Sequence, residues 1–242
     1  MLNFSLAPRS ARLLSATALL LSLGACSLQP RLSDEERLAA WLPADVLLLG
    51  EQHDAVAHQR VQQGLVAILA GRGQLAALAL EMADSGTSTA GLPSDASPEQ
   101  VRTSLKWDDT AWPWVAYGPA VMAAVRAGVP VLGANLPRGD MRASMADSQL
   151  DLRLPAPAFK AQQQLIRQGH CDLLPEGQIT PMTRIQIARD RRMADTLVKA
   201  LQPSKVVVLI SGSVHADKQL GVPQHLPAGL QVKSVRLLAG GK

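Results

Sequence analysis

Cysteine is almost missing from this chain: two of its 242 residues, at positions 26 and 171. That is too few for the disulfide frameworks that hold small exported domains together. Aromatic residues are nearly as scarce, with one tyrosine, two phenylalanines and four tryptophans. Charge is low as well. The formal net charge is +4, and no Lys/Arg cluster carries interleaved aromatics, so nothing argues for a nucleic-acid surface. No apolar run reaches the roughly 18 residues of a membrane-spanning helix. What the chain does have is length and aliphatic content, with 47% hydrophobic residues. That is ample for one α/β domain with a proper core.

The N-terminus reads as an address. Arg9 and Arg12 precede the short apolar stretch LLSATALLLSLGA, which ends in Leu23-Gly24-Ala25-Cys26. Its length suits a signal-peptide core, and its end resembles the lipobox of bacterial lipoproteins. The resemblance implies cleavage before Cys26 and acylation of that cysteine, and Ser27 fits sorting to the outer membrane. Multiple acyl chains make such anchoring durable. With Cys26 lipidated, Cys171 has no partner, so no internal disulfide is expected. Removing Arg9 and Arg12 leaves a mature net charge of about +2. The expected organisation is a leader at 1–25, a lipidated tether at 26–42 and a single domain at 43–242. Within the tether, Ser33 and Glu36 have capping-box spacing.

Beyond the tether, continuous apolar runs occur at 46–50, 75–82, 129–135 and 205–212, with a weaker alternating run at 230–238. Continuous runs suit strands buried on both faces, as in parallel sheets. Helical spacing fills the gaps: about 58–72 with Val61, Leu65, Ile68 and Leu69 on one side, then 119–127 and 183–201. The segment 84–100 is a long Ser/Thr/Pro-rich loop leading into a helix. Strand alternating with helix predicts one α/β domain whose central, largely parallel (mixed) sheet is flanked by helices.

The polar chemistry is concentrated where these strands end, which is where open α/β sheets bind ligands. The first ends at Gly50-Glu51-Gln52-His53, the second at Glu81, the third at Asn135 with Arg138 close behind, and the fourth at Gly212-Ser213-Val214-His215. Gly-x-x-His appears twice: the glycine permits a tight turn and the imidazole follows over the sheet edge. Each residue also has a structural role open to it. Glu81 could pair with Arg138, Asp54 could cap the following helix, and His58 reads as a surface residue of that helix. That four strand ends carry such chemistry at once argues for one pocket.

These motifs, together with ALEMADSG, the W-x-W-x-x-Y-G-P run at 112–119, VLGANLPR, Q-x-x-x-D-x-x-M-A at 186–194 and ISGSVHADKQLGVPQHL, resemble the ChaN-like family. These are haem-binding lipoproteins within the Tiki/TraB/erythromycin-esterase-like superfamily. The resemblance covers about residues 45–222. It implies haem handling in iron uptake, in company with outer-membrane haem transport machinery. It also implies a homodimer enclosing two stacked haems, with tyrosine as ligand to ferric iron, a role that suits a hard phenolate. Tyr117, the only tyrosine, is then the expected iron ligand. Trp112, Trp114 and Met122 would form an apolar wall, and Arg138, Arg184 and Arg189 are propionate partners by charge alone.

The same superfamily leaves a second reading open. Its hydrolytic members imply that Glu51, His53, Glu81 and His215 act on substrate, by holding a divalent metal (Mn, Co or Zn) with a site left for water, or by activating water directly. A third possibility is a module that only binds an envelope partner.

Overall fold

The computed structural model describes residues 32–238, so Cys26 and the leader lie outside the described residues. Fifteen elements follow in order, three of them short 3-10 turns. The strands are β1 (Val46–Glu51), β2 (Leu75–Asp84), β3 (Val131–Asn135), β4 (Val206–Gly212) and β5 (Val232–Arg236). The helices are α1 (Asp34–Trp41), α2 (Val56–Gly71), α3 (Pro98–Leu105), α4 (Trp114–Arg126), α5 (Met141–Ala146), α6 (Ala156–Gly169) and α7 (Glu176–Lys199).

The five strands form one sheet in the order β3-β2-β4-β1-β5. Every strand pairing is parallel, and the one antiparallel contact is an isolated bridge, Ser88 to Leu132. The continuous apolar runs are the reason. Every residue of β1 is buried, as a strand covered on both faces requires.

Alternation along the strands sorts the core into two layers. Leu47, Leu49, Leu78, Leu80, Val208 and Ile210 face α2 and α4, with Leu65, Leu69 and Val121. Val46, Leu48, Ala77, Ala79, Val207 and Leu209 face α7, with Met193, Ala194 and Leu197. Handedness explains which helix lies where. The chain steps from β1 past β4 to β2 and on to β3 with α2 and α4 on one face. It then reverses direction to insert β4 and must return over the other face, using α7. Adjacent strands β1 and β4 thus send their following segments to opposite faces, which opens a crevice at their carboxyl ends.

The expected helices are present with longer bounds. Helix α4 begins at Trp114, although it contains Pro119. Proline strips the carbonyl four residues earlier of its helical partner, and that carbonyl belongs to Val115, which is 85% exposed. The capping box of Ser33 and Glu36 is formed. Its helix, assigned above to the tether, belongs instead to the domain: Leu38 is fully buried against the α2 and α4 layer. Asp54 does not cap α2, whose N-cap is Ala55 with no side-chain bond.

Candidate functional site

Period-two alternation sends Glu51, at the end of β1, and Glu81, three residues before the end of β2, to opposite faces of the sheet. Between these strands lies β4, ending at Gly212, whose register partner is Glu51. A Cβ at 212 would stand 3.0 Å from His53 Nε2 and 3.5 Å from Glu81 Oε2. The absence of a side chain at 212 therefore leaves a gap in which the two halves of the site approach each other.

The α4 half is organised by Glu51, whose carboxylate is fully buried. Its Oε1 accepts the Tyr117 hydroxyl at 2.7 Å and lies 2.9 Å from His53 Nδ1. Its Oε2 is buried with no protein partner. The hydrogen bond with Glu51 raises the pKa of His53 above the ordinary imidazole value, against a smaller effect of burial. Burial and Glu51 together push the Tyr117 phenol far above its usual range. His58, expected at the surface, is instead buried and accepts the Gln52 N–H on Nδ1.

The α7 half is a buried ionic triad. His215 Nδ1 lies 2.6 Å from Asp190 Oδ1 and Nε2 lies 3.2 Å from Glu81 Oε1, while Glu81 Oε2 accepts the Gly212 N–H at 2.7 Å. Burial pulls the His215 pKa down, but the two carboxylates outweigh it and raise it to about 10. Burial pushes Glu81 up, and the charge and hydrogen bond of His215 with the Gly212 N–H hold it at about 2. Asp190 is raised to about 6, by burial first and by Glu81 competing for the same cation. The Gln186 amide nitrogen sits 3.2 and 3.3 Å from the two ring nitrogens of His215, so it lies across the ring.

Beside His53 opens a cleft of about 350 Å³, walled by Val56, Trp112, Pro113, Val115 and Tyr117 among others. Val56 and Val115 are 58% and 85% exposed, and His53 meets Trp112 edge-on at 4.8 Å.

Glu51, His53, Glu81 and His215 therefore come together as expected, with Trp112 beside them. Trp114 does not line the cleft. It packs on Trp107 and over Gly118, where a Cβ would meet its ring at 2.5 Å. Met122 is partly buried against the core. Arg138 is exposed beyond the edge strand β3, and its described contact is a backbone bond to Asp84. Arg184 is bidentate on Asp151 at 2.8 and 2.7 Å. Tyr117 borders the cleft but is 2% exposed, and its hydroxyl donates to Glu51. The metal-centre alternative meets the same obstacle, because both ring nitrogens of His215 face carboxylates. Among the described residues no three His, Cys, Asp or Glu side chains are arranged to hold a metal ion.

Asp190 and Gln186 were given no role in the sequence reading. Two signals were available: the Q-x-x-x-D-x-x-M-A motif at 186–194, and spacing, since Ile179, Thr183, Ile187, Asp190, Ala194 and Leu197 form one buried helical stripe. A carboxylate within such a stripe needs a buried partner.

Tyr117→Phe should cost about 1–3 kcal/mol, since it leaves a buried carboxylate short of a donor. Urea melts of the two proteins would measure this, and unchanged stability would mean that the Tyr117–Glu51 bond contributes nothing.

A parallel α/β domain with imidazoles and carboxylates at its strand-order reversal, beside an open aromatic cleft, is a ligand-binding protein of the strand-end class. Residues 37–226 match the family described as "Haem-binding uptake, Tiki superfamily, ChaN". The chain belongs to that family. Among solved structures, it is similar to ChaN of Campylobacter jejuni, described as showing cofacial haem binding. The two share 28% identity and a TM-score of 0.70 over 87% of this chain and 88% of that one. No curated protein matches the sequence.

Proposed function

We propose that this chain is an envelope-anchored haem-binding protein of haem uptake, and that it holds ferric haem in the cleft beside His53. The observation that carries the reading is the family match over 37–226, matched in fold by a protein described as binding haem cofacially.

The residues of the cleft suit a porphyrin. Trp112, Pro113, Val115 and Val56 offer an apolar wall beside one imidazole, the mixture of apolar lining and few polar groups expected of cofactor sites. Haem supplies a flat apolar plate whose iron accepts a protein ligand. The protein supplies the wall, excludes water from one face and positions the ligating side chain. Stacked haems need two chains, each covering one plate, and the exposed valines at the cleft rim suit burial in such a homodimer. Acylation of Cys26 would hold the assembly at the membrane, with outer-membrane haem transport machinery as its partner.

Mature protein beginning at Cys26 should bind ferric haem saturably near one haem per chain, with a shifted Soret band and a larger sedimenting species. A titration matching free haem throughout would overturn the proposal.

A further inference from the structure

The chain has four tryptophans and one tyrosine, and all but Trp41 stand in one cluster at the cleft. Trp112 and Tyr117 have ring centroids 6.0 Å apart, Tyr117 and Trp107 6.0 Å, and Trp107 and Trp114 5.1 Å. These are the separations of aromatic rings in contact. The Trp107 indole N–H also donates to the Trp112 carbonyl at 2.8 Å. Among the described residues, the core layer against α7 has no aromatic ring, so filling space in this fold does not by itself call for them.

The segment between α3 and α4 holds the rings in place. Lys106 turns the chain out of α3 in the left-handed region. Asp108 Oδ1 accepts the N–H groups of Thr110 and Ala111, and Asp109 Oδ1 accepts that of Trp114 at 2.6 Å. The row of rings is open at both ends. Trp112 and Tyr117 border the cleft. Trp107 borders a separate polar pocket of about 240 Å³, shared with Glu99, Arg102, Thr103, Lys106 and Asp109.

Indole and phenol are the side chains that give up single electrons most readily after thiols. Resting on the haem-binding reading, we propose that Trp112, Tyr117, Trp107 and Trp114 form an electron relay. It connects the cleft to the pocket at Trp107, where a small enediol or thiol donor supplies electrons that quench a hydroperoxide reacting at the haem cargo. The hydroperoxide takes up two electrons and two protons, its O–O bond breaks, and alcohol and water leave. Two donor molecules each give one electron, and each releases one proton to solution, which replaces those consumed. When Tyr117 passes an electron inward, its phenolic proton moves to Glu51 Oε1 along their 2.7 Å bond. The electron that arrives from Trp107 reverses that move. Trp107 has no such base, since its N–H is held by a neutral carbonyl. Its oxidised indole therefore keeps its proton until the donor reduces it.

The haem-loaded protein, treated with a hydroperoxide, tests this by electron paramagnetic resonance and by mass spectrometry of the oxidised residues. Wild type should give a protein radical and oxidation at Trp112, Trp107 and Trp114. Trp41, which lies in α1 partly buried against the core, is the internal reference and should be spared. Added ascorbate should clear the radical and suppress the oxidation. Trp107→Phe keeps a ring but breaks the relay, so oxidation should collect at Trp112 and Tyr117 and ascorbate should clear the radical more slowly. Trp41→Phe should match wild type. Oxidation of Trp41 as heavy as that of Trp107 in wild type would overturn the relay, as would ascorbate clearance in Trp107→Phe at the wild-type rate. A Soret band that never departs from that of free haem would instead remove the haem reading itself.

Discussion

Replacing His215 by alanine should lower the unfolding free energy by about 3–5 kcal/mol at neutral pH, the usual cost of removing one partner from a buried ion pair. The imidazole is 6% exposed, and its partners Glu81 and Asp190 are 5% and 1% exposed. Without it, two buried carboxylates face each other with no cation between them. Urea melts at a constant m-value would report the loss as a lower midpoint. The pH dependence should be distinctive. His215 titrates near 6.5 unfolded and about 10 folded, so its contribution is complete below pH 6.5 and is lost as pH rises to 10. Glu81 moves from 4.5 to about 2, so its contribution is present above pH 4.5 and is lost towards pH 2. Asp190 is raised from 3.8 to about 6 and costs stability as pH climbs between those values. From these three groups wild type should therefore be most stable near pH 3.8–4.5, where the Glu81 gain and the Asp190 loss cancel, and should lose stability from there to about pH 6. Above pH 6.5 it should decline by on the order of a few kcal/mol. In His215→Ala the alkaline decline should shrink to the part left by His53, whose pKa is also raised, and acid should restore part of the loss by protonating the carboxyls. A variant losing less than about 1 kcal/mol at neutral pH would show that the triad is not a net contributor.

Gly50→Ala should do comparable damage by a different route. Gly50 lies inside β1, and a Cβ there would stand 2.7 Å from the Cβ of Ala216 and 2.9 Å from the Cα of Ser213. The backbone after β4 cannot retreat without moving His215 on one side and the Glu51–His53 turn on the other. Overpacking of this kind costs about 1–3 kcal/mol. Haem affinity should fall too, because the turn carrying His53 shifts with the strand. Gly177→Ala is the control: nothing lies within 4 Å of that Cβ and the residue is in α7, so stability should hold or rise slightly. Equal behaviour of the two alanine variants would mean that the close approach at Gly50 is easily relaxed.

Much of this arrangement was legible in the sequence. Continuous aliphatic runs identified doubly covered strands, and glycine three residues before histidine marked both turns at the crevice. The helical spacing of 58–72 found α2 within two residues at its start and one at its end. What the sequence concealed depends on three-dimensional neighbours. Tyr117 reads as an available phenol until α4 is extended back to Trp114, which turns position 117 towards the sheet and onto Glu51. Trp114 and Trp112 look equivalent, two positions apart, yet one covers Gly118 and the other edges His53. Arg138 follows its strand closely, as the histidines do, but its strand is the sheet edge. Asp190 was hidden because nothing local reveals that a helical carboxylate will find an imidazole 25 positions away.

The gap at Gly212 also makes the sheet a partition with a window. On one side a histidine is half open to solvent, and on the other a histidine is sealed between two acids. An acylating or oxidising probe sees only the first. The second, fixed behind the window, has its charge answered by Glu81 and Asp190. The inner ionic lock ties β2, the turn after β4 and helix α7 together, and it stays closed whatever occupies the outer cleft.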